Sequence, residues 1–341
     1  MNVRHIAKLA GVSPSAVSLA LRDSPRISAA TKARVLALAR ELHYEPDARI
    51  VDLMRHLRKP RDVRQLACFG VISFYDSARP WEQSKHLAAI HDGMLRRARE
   101  LGYRLEPFWL RAPGMTNRRF SAILETRGVD GLLCFGSPDF DEEFPDELGG
   151  QAVVTVGLSI RTPLHRVTSH FYNDTLHALN RVHALGYRRP GLVLGMNEDT
   201  RSAYAHSGAY LAWCEHRLGA DAALPMLRLR EVEEPALTRW LVDHRPDVIV
   251  FVHLPDMIAR FRAVLKRLQI SIPKSLGVVV LSHEVEGSGF AGLQQNQQVM
   301  GSWAVELLAA RIANRDLGIP VNPRTEMVES KWIEGASLRK R

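Results

Sequence analysis

The chain has 341 residues, 46% of them apolar and 24% charged, which is the balance of a folded globular protein. It is too long for one ordinary core, and no apolar run reaches the roughly 18 residues needed to cross a bilayer, so a membrane span is excluded and more than one domain is expected. The net charge of +9 is concentrated at one end: residues 1–64 carry 13 Lys+Arg against 6 Asp+Glu, and the other 277 residues carry 33 against 31. A basic head on a near-neutral body points to a polyanion bound at the head. The opening MNVRHIAKLAGVS sets a histidine and a lysine inside its apolar pattern, so a secretory signal is not expected and a cytoplasmic, nucleoid-associated location is. Cys68, Cys134 and Cys214 are scattered and form no CxxC, which predicts free thiols and no structural metal. No cofactor is expected.

In the head, Asn2 is placed to cap a helix carrying Val3, Ile6, Ala7 and Ala10 at helical spacing. Gly11 ends it, Ser13 caps a second helix, and Pro14 stands in the first turn, where its missing N–H costs nothing. Val17, Ala20 and Leu21 form the buried stripe of the second helix. Ser28 caps a third, with Val35, Leu38, Ala39 and Leu42 repeating at the same period. Helix, short glycine turn, helix and bracing helix is a helix-turn-helix pattern. A three-helix protein-interaction module has the same pattern, and the basic charge favours nucleic acid. After Tyr44-Glu45-Pro46, the segment DARIVDLMRHLRKPR is a basic linker with helical spacing.

From about Leu66 apolar strands alternate with amphipathic helices. Strands are predicted at 68–74, 131–135, 152–156, 191–194, 248–252 and 277–281, and helices at 86–101, 175–185, 203–218 and 257–268. This alternation predicts parallel, doubly wound α/β sheets. The segment GFAGLQQNQQVMGSWAVELLAARI reads as strand, turn and helix, with Gly301 allowing a close helix approach, and ESKWIEG as a last strand with Trp332 in the core. Catalytic motifs are absent: no GxGxxG after the first strand, no GxxxxGK[ST], no HExxH and no GxSxG. The chain is therefore not expected to be an enzyme.

The run VRHIAKLAGVSPSAVSLAL, followed by SPRIS and ARELHYEP, resembles the head of the LacI/GalR transcription regulators without a gap over about sixty residues. The body landmarks GMLRRARELGYRL, RGVDGLLCFG, ALNRVHALGYRRPGLVLG and RPDVIVFV are similar to that family's periplasmic-binding-protein-like core. The resemblance implies an all-α helix-turn-helix head (1–46), a hinge (47–64) and a two-subdomain core of the type I class (65–341). It implies a homodimer that binds a near-palindromic double-stranded DNA operator, by default as a repressor, with a small-molecule effector in the cleft between subdomains.

DNA contacts are implied at Asn2, Ser13, Ser15, Ala16, Ser18, Leu19, Arg22, Arg26, Ser28 and Tyr44, and in the hinge at Ile50 and Leu53. Leu53 falls where the family inserts a leucine wedge into the minor groove; a linker helix packing in a dimer is the other reading. Leu19 stands where the family usually has arginine and Ala16 where it often has threonine. Both can only touch apolar features such as a thymine methyl, so more discrimination is expected from the hinge and from DNA shape.

The cleft departs from the family's pattern. The arginine that clamps a sugar hydroxyl aligns with Ala205, and the charged pairs after later strands become Leu254-Pro255 and Ser282-His283. An aromatic and imidazole-rich set replaces them: Tyr75, Trp81, His170, Tyr172, His253 and His283, with Ser137, Arg201 and Gln294 beside them. These suggest a sugar-like or aromatic metabolite. A ligand-independent regulator with a degenerate cleft is the alternative, and a solute-binding protein of transport is an alternative of another class.

Overall fold

A computed structural model describes residues 3–21, 27–42, 44, 67–139, 141–219, 221–230, 233–252, 257–282 and 284–340. The chain divides into two compact units, residues 1–65 and 66–341. The expectations for Asn2, Arg22, Arg26, Ile50, Leu53, His253 and His283 lie outside the described residues, as does the hinge over 47–64.

The first unit contains α1 (Val3–Ala10), α2 (Pro14–Ala20) and α3 (Ala29–Glu41). The expected stripes converge: Ile6, Ala7 and Ala10, Val17 and Ala20, and Val35 and Ala39 close one small core. Gly11 turns the chain at φ +63°, a conformation open to glycine without steric cost. Val12 N–H then donates back to the Ala7 carbonyl at 3.0 Å. Ser13 Oγ accepts from Ala16 N–H at 3.1 Å and Ser28 Oγ from Thr31 N–H at 3.3 Å, so both caps form as their sequence spacing requires. Tyr44 packs against this core and donates its N–H to the Ala39 carbonyl at 2.9 Å.

The second unit is built on two six-stranded sheets. Sheet one holds β1 (Ala67–Ser73), β2 (Tyr103–Trp109), β3 (Val129–Cys134), β4 (Ala152–Val156), β5 (His165–Ser169) and, from far along the chain, β11 (Thr325–Val328). Its order is β11-β5-β4-β3-β1-β2, and every pairing is parallel. Sheet two holds β6 (Pro190–Gly195), β7 (Leu227–Leu229), β8 (Val248–Val252), β9 (Gly277–Ser282), β10 (Ala291–Gln294) and β12 (Lys331–Ile333). Its order is β12-β10-β9-β8-β6-β7, parallel except for β12 on β10.

Helices α4 (Lys85–Glu100), α5 (Asn117–Thr126) and α11 (Gln297–Asn314) accompany sheet one. Helices α6 (Phe171–Ala184), α7 (Met196–Arg201), α8 (Ala205–Leu218), α9 (Glu234–His244) and α10 (Met257–Arg267) accompany sheet two. The chain crosses between the two subdomains three times: from β5 to α6, from β10 to α11 and from β11 to β12. Each subdomain buries its own apolar core, exemplified by Phe69, Val154 and Leu308 in the first and by Leu192, Val250 and Leu293 in the second.

Glycine sets the approach of α4 to α11. A Cβ on Gly301 would stand 2.0 Å from the Ile90 carbonyl oxygen, and one on Gly93 would stand 2.0 Å from that of Gln298. The two backbones therefore touch, as the position of Gly301 predicts.

Two helix starts differ from expectation. The helix predicted at 175–185 begins at Phe171, because His170 caps it through Nδ1, which accepts from Asn173 N–H at 3.2 Å. The helix predicted from 203 begins at Ala205, because Ala203 and Tyr204 take left-handed conformations at φ +52° and +61°. That break sets α7 apart from α8.

Candidate functional site

A cavity of about 440 Å³ lies between the subdomains. Thr168 and Ser169 at the end of β5, Val252 at the end of β8 and Ser282 at the end of β9 reach it. So do the start of α4, Glu198 and Arg201 of α7, and His206 of α8. In parallel sheets the carboxyl ends of the strands leave such a crevice because the connecting chains diverge there.

Of the expected effector residues, Tyr75 and Arg201 line this cavity. Burial pushes the Tyr75 phenol above its ordinary value, with the nearby Arg201 cation opposing. Arg201 reaches across from the second subdomain and donates to the carbonyls of Ser137 at 3.3 Å and Pro138 at 3.1 Å. Five other described expectations are not among the lining residues. Ser137 is fully buried, its hydroxyl donating to the Glu142 carboxylate at 3.1 Å and accepting from Asp139 N–H at 3.1 Å. Trp81 stacks on His91 with centroids 4.2 Å apart and leans on Phe135, so its ring is part of the packing. His170 is occupied as a helix cap. Tyr172, one residue into α6, is 41% exposed and outside the cavity. Gln294 turns its amide oxygen to the N–H groups of Val285 (2.7 Å) and Glu286 (3.0 Å), bracing the loop after β9. Its neighbour Gln295 faces the cavity instead, because successive side chains along a strand point to opposite faces.

The structure also brings in residues that sequence reasoning missed. Glu198 lines the wall beside Arg201, its carboxylate 3.9 Å from the guanidinium Nε, and burial raises its pKa. His206 is 2% exposed, with Nδ1 2.8 Å from Thr175 Oγ1 and its ring 5.3 Å from that of Phe171. Burial pushes its pKa down to about 4, against the pull of Asp199. Thr168 is buried at the opposite wall, and its hydroxyl has no hydrogen-bond partner among the described residues. The available signal was that His206 directly follows Ala205, where the usual arginine is missing.

Between the subdomains, Asp174 in the first turn of α6 accepts from Ser330 Oγ at 2.7 Å, joining the first and third crossings. Burial raises its carboxyl to about 6, with Ser330 and His170 lowering it and Glu329 adding to the rise. No group of three or more His, Cys, Asp or Glu able to hold a metal occurs among the described residues. No described helix is long and apolar enough to cross a membrane.

In the head, the exposed side of α2 presents Ser15, with Ala16, Ser18 and Leu19 partly exposed. Among the described residues, Leu19 is partly exposed and outside the core cluster of the three-helix unit. The Ser13 and Ser28 hydroxyls are engaged as caps, and the Tyr44 ring leans on the core.

Comparison with known proteins accords with both units. Residues 2–47 match the family described as bacterial regulatory proteins, lacI family, and residues 179–338 match the periplasmic binding protein-like domain. The HTH-type transcriptional regulator TreR of Salmonella typhimurium LT2 is 25% identical over 271 residues, covering 76% of each chain. Two solved structures share the fold over 99% of each chain with TM-scores of 0.58. One is the lac repressor dimer bound to operator and the anti-inducer ONPF, at 15% identity, and the other is the transcriptional regulator CelR in complex with cellobiose, at 20%. The chain thus joins a lacI-type helix-turn-helix head to a two-sheet periplasmic-binding-protein-like body and is similar to transcription regulators of the lacI family.

Proposed function

We propose that the protein is a dimeric, effector-controlled repressor that binds a near-palindromic operator, with residues 1–46 reading DNA, 47–64 acting as hinge and 65–341 binding effector and partner subunit. The observation that carries this reading is the cavity between two subdomains joined by three crossings, in a chain with a lacI-type head. The operator complex of the lac repressor dimer and the cellobiose complex of CelR support the choice of partners. Ser15, Ala16, Ser18 and Leu19 face the major groove, with Arg22, Arg26 and Tyr44 on backbone or flanking bases. Ile50 and Leu53 enter the minor groove from the hinge. An effector that prefers one subdomain arrangement shifts the hinges and changes operator affinity by its differential binding. The protein then works on the nucleoid in the cytoplasm and carries out no turnover.

Fluorescence anisotropy with a palindromic sequence from beside its own gene tests this. Affinity exceeding that for scrambled DNA by at least about a hundredfold, and falling steeply with salt, is expected. Equal affinity for both sequences would refute it.

A second reading, a regulator that needs no ligand, is favoured by one observation. Arg201 already joins the two subdomains through the carbonyls of Ser137 and Pro138. Under that reading Arg201→Ala alone alters operator affinity, and no small molecule does.

A further inference from the structure

We propose that His206 and Glu198 make their part of the second-subdomain wall an acceptor surface, and that His206 is its specificity-determining residue. The effector then meets this wall with hydroxyl or amino donors, not with a carboxylate or phosphate. The inference rests on the reading of the cleft as an effector site.

The tautomer of His206 follows from its neighbours. Thr175 Oγ1 has one proton, and it lies 3.1 Å from the Phe171 carbonyl oxygen, one helical turn back. With that proton donated to the carbonyl, Oγ1 receives the hydrogen bond from His206, 2.8 Å away, so Nδ1 carries the ring hydrogen. A neutral imidazole has one N–H, so Nε2 keeps its lone pair. His206 is buried, which disfavours the cation, and Asp199, the carboxylate that pulls the other way, is held by Arg228 at 2.9 and 3.1 Å. No described residue donates to Nε2, which leaves it for the cavity that His206 lines.

Glu198 in the same wall has the same polarity, whereas the Ser282 hydroxyl and the Gln295 amide can both donate and accept. Glu198 offers carboxylate oxygens beside Arg201, two of whose N–H groups are taken by the carbonyls of Ser137 and Pro138. Lys85 and Glu284 also line the cavity, but both are exposed at its rim. Across the cavity, the unpartnered Thr168 hydroxyl belongs to the first subdomain. A carboxylate beside His206 would set its lone pairs against the Nε2 lone pair and the Glu198 oxygens, whereas a hydroxyl or amino group can donate to both.

The test uses the full chain in three arms. Melting temperature is measured with glucose, cellobiose, trehalose, ribose and glucosamine, and with glucuronate, glucose 6-phosphate and ribose 5-phosphate as anionic counterparts. Shifts confined to the neutral or amino compounds are expected, and a shift with an anionic counterpart alone overturns the inference. No shift with any compound overturns the effector reading and the inference with it. For a compound that binds, His206→Gln is expected to raise Kd at least tenfold. An unchanged Kd overturns the role of His206 and leaves the effector reading standing. Glu198→Gln separates the donors: an amino compound loses at least tenfold more than its hydroxyl analogue. Nitrogen NMR of histidine-labelled protein, with His206→Gln for assignment, supplies a readout that needs no ligand. A protonated Nδ1 and a bare Nε2 down to pH 5 are expected, and a protonated Nε2 at pH 7 overturns the inference.

Discussion

The head and the cleft are built at different ranges along the chain, and this decides how each responds to change. In the head, the caps and turns among the described residues are closed by local contacts: Ser13 to Ala16, Ser28 to Thr31, Val12 to Ala7. In the cleft, His206 depends on Thr175, 31 positions earlier, and Arg201 depends on carbonyls more than 60 positions earlier. A local contact adjusts when one partner changes, whereas a contact between distant elements holds only while both elements keep their places. The head is therefore expected to take substitutions in small steps and the body in large ones.

A pair of glycines gives the largest contrast. Gly301→Val drives a side chain into the Ile90 carbonyl, with the ideal Cβ 2.0 Å from the oxygen, and is expected to cost more than about 3 kcal/mol of body stability. Gly11→Ala meets open space and only the left-handed φ, a cost of about 1–2 kcal/mol. Urea unfolding of both variants checks this, and equal losses would break the contrast.

Two buried titratable groups should give opposite pH slopes of about 3 kcal/mol each at their limits. The unfolded chain protonates His206 near 6.5 and the folded chain only near 4, so stability falls as pH drops through that window. Asp174 works in reverse. Its folded carboxyl keeps its proton up to about 6 while the unfolded one ionises near 3.8, so stability is lost as pH rises between them. His206→Gln is expected to remove the first slope, and Asp174→Asn to remove the second and stabilise the protein above pH 6. Thermal unfolding from pH 4 to 8 shows both. A profile unchanged by either variant would mean the sites are not closed to water.

Smaller effects are expected in the head. Ser13→Ala removes a cap worth about 1 kcal/mol and should weaken operator binding modestly in the same anisotropy titration. Leu19→Arg, outside the core cluster, should change stability by less than about 0.5 kcal/mol yet alter the preferred half-site in a selection from random DNA. A large loss of stability instead would place Leu19 in the packing.

Range along the chain also explains what was legible in the sequence. The head was read almost whole, because caps and glycine turns act within a few residues. In the body, the central strands announced themselves as apolar runs, but β2 and β11 did not. Both are edge strands: β2 holds Pro107, a residue tolerated at a sheet edge, and β11 is mostly exposed. β5 was missed for another reason. It carries the polar His165, which is buried because it meets Asp316 at 3.1 Å and Arg324 N–H at 3.0 Å. In the cleft, the sequence points to Gln294 while Gln295 lines the cavity, a one-residue difference that only strand register resolves. His170 stands in a recognisable motif yet caps a helix, whereas His206 has no neighbouring landmark except a missing arginine.

The late position of α11, β11 and β12 in the chain has a consequence for biosynthesis. A ribosome completes the three helices of the head within the first 42 residues, and the head can close while the body is unmade. The face of α4 that carries Ile90 and Met94 must wait for Met300 and Val305 of α11, roughly 200 residues later, or on the order of 10–40 s at typical elongation rates. Until then the nascent first subdomain holds out an apolar surface and lacks its edge strand. The newborn chain thus passes through an interval in which a finished DNA-reading head is tethered to an unfinished body that needs shielding from aggregation.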